Sequence, residues 1–492
     1  MEEFMAYFVS TRNVNAVQDA RTAIMNGLSP DGGLYVPETI PATDYHKLIG
    51  LSYADMAKQI IRLWFDDFTY DEIAASCEDA YSSHFDTPLV APVKQAGDVF
   101  ITELFHGETC AFKDVALSLL PRLVSKARRS LGIADKTLIL TATSGDTGSA
   151  AMNGFRNVEG TGIITFFPHR GISTVQRRQM VCMTGRNIKA CAVDGNFDDC
   201  QTGVKNAFAT LPRIPLCRYS SANSINIARL VPQITYYFST YISLISSGCI
   251  KDGQRICFAV PTGNFGDILA GYYAKHMGLP IDKLVCASNS NNVLTEFLNA
   301  GVYDKRREFL TTYSPSMDIL ISSNLERLLY HTQNNDTNIV VRQMEQLKAE
   351  GRYKTSQDTL KTIKEDFAAY SFDDAATLKM IRTTFDAGAY LADPHTAVAL
   401  CAQAAFSRDN PGSVCVVLST ASPYKFPACI CKALGIRETD DPFREIEQIE
   451  NISGKPAPDS IKLLEQKTVI HPDVIAKTGI NEYILKNMQE LI

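Results

Sequence analysis

The chain has 492 residues, of which 45% are hydrophobic and 21% are charged. These fractions are typical of globular proteins and exclude a disordered or fibrous chain, and the length predicts roughly three domains or subdomains. The 48 Lys and Arg and 54 Asp and Glu residues give a formal net charge of −6. A mildly acidic chain without a basic run is a poor nucleic-acid binder, so any anionic ligand must be held by local donors.

The thirteen cysteines and the N-terminus both argue against a secreted protein. An odd number of scattered cysteines does not resemble a disulfide framework, and the start MEEFMAYFVSTRN lacks the features of a signal peptide. The most apolar long stretch, 234–250, contains too many hydroxyl side chains for a membrane span. The sequence therefore predicts a soluble, cytoplasmic protein with no membrane or nucleic-acid partner.

Residues 1–92 are predicted to form a small N-terminal domain. A short strand is expected over 7–10 and a helix over 15–25, followed by turn residues at 29–33. Two more helices are predicted over 54–65 and 71–82, and Pro88 and Pro92 close the region.

Residues 93–440 are predicted to form a larger core, with a smaller subdomain over about 130–215. Strands are expected over 136–142, 162–167, 188–193, 255–260, 283–287 and 413–419, and helices over 173–183, 198–209, 267–277 and 426–434 and from residues 148 and 293. Continuous apolar strands alternating with helices indicate an α/β fold, with mostly parallel sheets covered by helices. The polar stretch 332–371 is expected to form exposed helices or an insertion, and 441–492 a short C-terminal appendage.

Two turns that follow predicted strands have the composition of an anion site. Residues 143–148 (TSGDTG) and 261–267 (PTGNFGD) each combine glycines with a helix start, where free backbone N–H groups favour negative charge. Ordinary capped turns would give the same patterns, and the segment 261–267 matches neither the P-loop nor the dinucleotide-binding motif.

Lys113 lies between small and aromatic residues in 105–114 (FHGETCAFKD). Burial would lower the pKa of this lysine and make its amine nucleophilic, whereas a solvated lysine at a helix end is the ordinary alternative. A cofactor that carries an aldehyde, a phosphate and a ring needs an amine, a phosphate cradle and a ring anchor. Pyridoxal 5'-phosphate is such a cofactor, and Lys113, the turn 263–266 and Thr420 could supply these three parts.

The sequence resembles the threonine synthase family, which shares the fold of the tryptophan synthase β subunit. Matching motifs extend over nearly the whole chain: 32–37, 105–114, 144–148, 223–226, 261–267, 393–397 and 419–426. The sequence departs from the family pattern at 108–110, where Glu-Thr-Cys replaces Pro-Thr-Leu, and at Ile227, which replaces Trp. The resemblance implies the two-subdomain pyridoxal-phosphate fold with a small N-terminal domain.

The resemblance also implies roles for individual residues. Lys113 would bind the cofactor aldehyde covalently and act as the catalytic acid and base. The cofactor phosphate would be held by Gly263, Asn264, Phe265 and Gly266, and the hydroxyl of Thr420 would face the pyridine nitrogen. The substrate carboxylate would be bound by Ser144, Asp146 and Thr147, and the substrate phosphate by Asn223, Ser224 and Arg229.

The function that the resemblance implies is a lyase of threonine biosynthesis. It would convert O-phospho-L-homoserine and water to L-threonine and phosphate, as a monomer or homodimer and without a metal. One alternative is a phospho-lyase of the same fold that releases 2-oxobutanoate from the same substrate. An alternative of another class is a non-catalytic nucleotide-binding α/β module, in which 144–148 is the phosphate turn and Lys113 a surface residue.

Overall fold

A computed structural model describes residues 6–212, 214–388 and 390–492 of the chain. The first of its parts is a three-stranded antiparallel sheet, in the order β2-β1-β3, with helices beside it. Its elements are β1 (Phe8–Ser10), β2 (Asn13–Gln18), α1 (Ala20–Asn26), β3 (Tyr35–Pro37), α2 (Tyr53–Trp64) and α3 (Tyr70–Tyr81). The prediction of one helix over 15–25 is wrong, because 13–18 pairs with β1 and Asp19 caps α1 by accepting from the Thr22 N–H.

A five-stranded, wholly parallel sheet in the order β16-β8-β7-β6-β9 contains the region predicted as the smaller subdomain. Its elements are β6 (Lys136–Ala142), α5 (Asp146–Phe155), β7 (Thr161–Pro168), α6 (Thr174–Val181), β8 (Ile188–Asp194), α7 (Phe197–Thr210) and β9 (Cys217–Ser220). All eight residues of β7 are buried. Alternate side chains of β7 enter two hydrophobic clusters, so both faces of the sheet are covered, as its continuous apolar strands predict.

A six-stranded sheet in the order β14-β11-β10-β15-β5-β4 is parallel except for β4 at its edge. Before the five-stranded sheet the chain forms β4 (Val93–Ala96), β5 (Val99–Glu103) and α4 (Lys113–Ser130). After it come α8 (Ile227–Ser246), β10 (Ile256–Pro261), α9 (Gly266–His276), β11 (Ile281–Ser288), α10 (Val293–Ala300), β12 (Val302–Asp304), α11 (Leu325–Thr332), α12 (Thr337–Glu350), β13 (Arg352–Lys354), α13 (Gln357–Asp366), β14 (Phe367–Ser371), α14 (Asp374–Asp386), α15 (Pro394–Asp409), β15 (Cys415–Ser419) and α16 (Pro427–Leu434).

The polar stretch 332–371 forms exposed helices only in part. Its helices α12 and α13 fit the prediction, but β13 pairs with β12, and β14 is the edge strand of the six-stranded sheet beside β11. In β14 only Phe367 and Ala369 are buried. This apolar pattern is too short to indicate a strand within a polar sequence.

The segment 441–492 joins the five-stranded sheet. It contains α17 (Pro442–Ser453), α18 (Asp459–Lys462), β16 (Val474–Ala476) and α19 (Ile480–Leu491). β16 pairs in parallel with β8, and α19 packs on the sheet where Gly162 leaves room for Leu491 and Ile492. This segment, predicted as an appendage, thus completes a hydrophobic core.

Among the helices that the structure describes, none has the length and apolarity that a membrane crossing requires.

Candidate active site

Three segments that follow parallel strands meet at one cavity of about 1090 Å³. The turn after β6 leads into α5, the turn after β10 leads into α9, and Thr420 follows β15 directly. The lysine segment lies beside Thr420, because the Phe112 N–H donates to the Thr420 carbonyl at 2.9 Å. The cavity is lined by all twelve site residues named from the sequence: Lys113, Ser144, Asp146, Thr147, Asn223, Ser224, Arg229, Gly263, Asn264, Phe265, Gly266 and Thr420.

Lys113 is the first residue of α4 and only 9% of its surface is exposed. Its Nζ lies 3.4 Å from Oδ2 of Asp146 and 4.5 Å from the centre of the Phe112 ring. Burial lowers the pKa of Lys113; Asp146 opposes this, and the positive charges of Lys425 and Arg229 add to it. The amine is therefore closer to its neutral, nucleophilic form than a solvated lysine is, which makes the surface-lysine alternative wrong.

The turn between β10 and α9 is held tightly from outside the cavity. Phe265 has a left-handed backbone (φ 61°), and the carbonyl of Asn264 accepts from the backbone and side-chain amides of Asn324 at 3.1 and 2.9 Å. A Cβ at Gly263 would lie 2.5 Å from the carbonyl oxygen of Ser316, so only glycine fits there. Such a strained, fixed turn is typical of a loop whose backbone binds a ligand.

Four helices begin at the cavity without a hydrogen bond from the N-cap side chain: α4 at Lys113, α5 at Asp146, α9 at Gly266 and α11 at Leu325. The first N–H groups of a helix have no partner within the helix and carry part of the helix dipole. In α5 the Thr143 hydroxyl accepts from the third of these groups, the Gly148 N–H, and leaves the first two uncapped. Four such ends around one cavity give it a positive potential that suits more than one anionic group.

Arg229 adds a full positive charge that has no counter-ion among the described residues. Its side chain is 3% exposed, Nη1 donates to the Ala222 carbonyl, and Nε has no partner. Burial lowers the pKa of Arg229 to about 10. The Oδ1 atom of the neighbouring Asn223 is also buried without a partner. Buried polar groups are rarely left unsatisfied, so these two side chains indicate a ligand that supplies acceptors and donors.

Asp146 is engaged differently from what the resemblance implies for it. Its oxygens receive hydrogen bonds from Gln176, Ser316 and Lys113 and an ion pair from Lys425 at 2.8 Å. Burial opposes its ionisation, but the charges of Lys425, Lys113 and His395 hold the pKa of Asp146 well below its usual value. A negative side chain repels a carboxylate, so only its backbone N–H, at the start of α5, could bind one.

The family models for "Threonine synthase N terminus" and "Threonine synthase, C-terminal" match residues 7–81 and 396–467. The chain is 38% identical to the threonine synthase of Pseudomonas aeruginosa over 431 residues, covering 87% of this chain and 90% of that protein. The threonine synthase of Saccharomyces cerevisiae is 37% identical, with 84% of this chain and 86% of that protein covered.

The chain belongs to the threonine synthase family.

Solved structures of this family agree with the fold. The yeast threonine synthase superposes with a TM-score of 0.89 at 33% identity, covering 99% of this chain and 98% of that one. The PLP-bound threonine synthase from Brucella melitensis gives 0.86 at 35% identity, with 97% and 98% covered. The predicted α/β fold with a small N-terminal domain is thereby confirmed. Threonine synthase-like 1 of Homo sapiens is 36% identical, but the chain spans only 61% of that protein's length.

Neither departure from the family pattern lines the cavity. The backbone N–H and hydroxyl of Thr109 donate to Asp114, and Cys110 faces Ser460 at 3.3 Å. Ile227 is fully buried at the first position of α8. These substitutions therefore change the packing behind the site and leave its lining groups in place.

Sequence reasoning missed the residues that fix the site from behind. Arg327, fully buried, donates to the carbonyls of Tyr35 and Ile225 and to the side chain of Asn324. It thereby ties together two of the family motifs and, through Asn324, the turn at Asn264. Lys425 lies within the motif 419–426, but the sequence indicates no role for it. Nothing in the local sequence marks either side chain as buried.

Proposed function

We propose that this chain is a pyridoxal-phosphate-dependent lyase that converts O-phospho-L-homoserine and water to L-threonine and phosphate. The observation that carries the proposal is the buried amine of Lys113, in a cavity with four helix starts and an arginine whose Nε has no partner among the described residues. Membership of the threonine synthase family supports the same reaction.

The residues present fit pyridoxal phosphate. Lys113 offers an amine with a lowered pKa for the aldehyde, and the turn 263–266 offers the N-terminus of α9 for the phosphate. Thr420, 5% exposed, offers a neutral hydroxyl for the ring nitrogen. The PLP-bound relative from Brucella melitensis supports this choice of cofactor.

Two anion sites remain for the substrate. The uncapped start of α5, with Ser144, Thr147 and the backbone N–H of Asp146, would bind the carboxylate. Arg229 would bind the phosphate with Asn223 and Ser224, because its planar fork can hold two phosphate oxygens. Fixing the substrate at both ends holds the reacting carbons and the leaving phosphate in place.

When bound, pyridoxal phosphate supplies an electron sink that stabilises negative charge on the substrate carbons. Lys113 would transfer protons: its Nζ would accept protons from the α and β carbons of the substrate and return them. Burial favours this role, since a lysine that is largely protonated cannot act as a base.

The test combines colour, covalent trapping and product analysis. Purified protein should be yellow, and borohydride should fix the cofactor to Lys113, which peptide mass spectrometry would locate. Incubation with O-phospho-L-homoserine should release phosphate and L-threonine in equal amounts. Release of 2-oxobutanoate in place of threonine would show the phospho-lyase. Colourless protein without a reducible adduct would refute both.

Lys113→Ala provides the matched negative control. It should lose the borohydride adduct and turnover, while pyridoxal phosphate could still bind without a covalent bond. Threonine formation at the wild-type rate by this variant would remove the role proposed for Lys113.

A further inference from the structure

A second lysine is buried beside Lys113. Lys425 ends the short 3-10 turn Pro423–Lys425 after β15, and its surface is 0% exposed. Its Nζ lies 2.8 Å from Oδ1 of Asp146 and donates to the Thr109 carbonyl at 2.7 Å. A fully buried lysine is rare unless its charge is paired, and here one carboxylate serves two lysines.

The two lysines use different oxygens of Asp146. Oδ1 accepts from Lys425 and, at 2.8 Å, from Nε2 of Gln176. Oδ2 accepts from Oγ of Ser316 at 3.1 Å and lies at the longer distance of 3.4 Å from Nζ of Lys113. The closer ion pair is therefore made by Lys425, and Lys113 has only the weaker contact.

The charges around Lys113 come from several elements. Asp146 on α5 and Asp267 on α9 are the acidic groups, and Lys425 and Arg229 are the basic ones. His395, at the start of α15, also acts on Asp146. Its Nδ1 contacts Asp393 at 2.7 Å and its Nε2 accepts from the Ser316 N–H.

We propose that Lys425 is a positioning residue: it holds Asp146 through Oδ1 and balances its charge, so that Asp146 orients the Lys113 amine without keeping it protonated. Without Lys425, Asp146 would pair with Lys113 alone, and a buried one-to-one ion pair would favour the protonated amine. The expected effect on turnover rests on the proposed function. The expected effect on the protonation of Lys113 in cofactor-free protein is independent of that function.

The test is Lys425→Met, which keeps an unbranched side chain, one atom shorter, and removes the charge. In cofactor-free protein, trace labelling with acetic anhydride and peptide mass spectrometry would give the Lys113 acetylation rate against pH. The Lys113 profile should move to higher pH, with labelling at pH 8 reduced roughly tenfold, since one pH unit is a tenfold change in free amine. Lys361→Met, on the exposed face of α13, is the matched control and should leave the profile unchanged. Lys425→Arg keeps the positive charge and should restore most of the wild-type profile.

An unchanged Lys113 profile in folded Lys425→Met would overturn the proposal, as would an equal shift in Lys425→Arg. If Lys425→Met does not melt cooperatively, the test becomes a comparison of the labelling rates of the two lysines in the wild-type protein. Lys425 should then label far more slowly than Lys113, because its amine is fully buried against Asp146 and the Thr109 carbonyl; comparable rates would overturn the proposal.

In the enzyme with bound cofactor, Lys425→Met should lower kcat and move the acidic limb of the kcat profile to higher pH. KM should change less. If the wild-type protein binds no pyridoxal phosphate, the proposed function fails, but the labelling experiment still decides the role of Lys425. If the wild type makes threonine and labelling of Lys113 is unaffected by Lys425→Met, only the Lys425 proposal fails.

Discussion

Replacing Gly263 with alanine tests whether the turn after β10 depends on close backbone packing. The added Cβ would lie 2.5 Å from the Ser316 carbonyl oxygen, where ordinary contact begins at 3.4 Å. One of the two backbone segments must therefore move by about 0.9 Å (3.4 − 2.5). Neither can move freely, because Ser322 Oγ holds the Gly263 carbonyl at 2.8 Å and His395 holds the Ser316 N–H.

We expect overpacking in Gly263→Ala to cost about 1–3 kcal/mol of stability. Cofactor-free protein should melt at a lower temperature in calorimetry. Since about 1.4 kcal/mol corresponds to a tenfold change in affinity, pyridoxal phosphate should bind roughly tenfold more weakly or worse in an absorbance titration.

Gly266→Ala is the matched control in the same turn. Its Cβ would meet nothing closer than 3.6 Å, and alanine favours the first turn of α9. The melting temperature of cofactor-free Gly266→Ala should therefore equal or exceed that of the wild type. If Gly263→Ala matched the melting temperature of Gly266→Ala and kept wild-type cofactor affinity, the steric argument would be refuted.

For three further substitutions we expect a defined direction of change in stability or substrate binding. Arg229→Met removes an unpaired buried charge, so it should raise the melting temperature of cofactor-free protein while raising KM for the phosphorylated substrate at least about a hundredfold. Burial raises the pKa of Asp267 to about 6 in the folded protein. Between about pH 4 and 6 the unfolded chain has therefore lost the Asp267 proton while the folded protein keeps it, and the free energy of unfolding falls as pH rises. Asp267→Asn should make that fall in melting temperature smaller; an equal fall would contradict the assignment. Arg327→Met leaves the carbonyls of Tyr35 and Ile225 and the side-chain amide of Asn324 without their hydrogen-bond donor, and should lower the free energy of unfolding by about 3 kcal/mol or more in thermal denaturation. The control Arg408→Met, at an exposed position, should have no effect.

The strands and the site loops could be predicted because their signals are local. An apolar run such as 136–142 followed by glycines and hydroxyl residues indicates both a buried parallel strand and the turn beyond it. All parallel strands of a sheet end at the same edge, so predicting 255–260 and 413–419 as such strands also predicts that the 263–266 turn and Thr420 converge. The strand before Lys113, β5, is not among the predicted strands.

The rest could not be predicted, because tertiary packing decides it. β14 has little hydrophobic signal of its own and becomes a strand beside β11. The carboxylate of Asp146 shares its motif with residues that suit anion binding, and only its contact with Lys425, 279 positions along the chain, shows that it serves a lysine. Burial also raises the pKa values of Asp67, Asp114 and Asp267 to about 6, and these shifts depend in the same way on tertiary packing.

The pairing of β16 with β8 has a consequence for biosynthesis. A ribosome releases β6 to β9 long before it reaches the strand and helix that cover them, so the growing polypeptide carries an open sheet edge and a bare apolar face until translation is nearly complete. Proteolytic clipping ahead of Val474 would expose the same surfaces in the mature molecule, which makes the tail a point where damage would lead to aggregation.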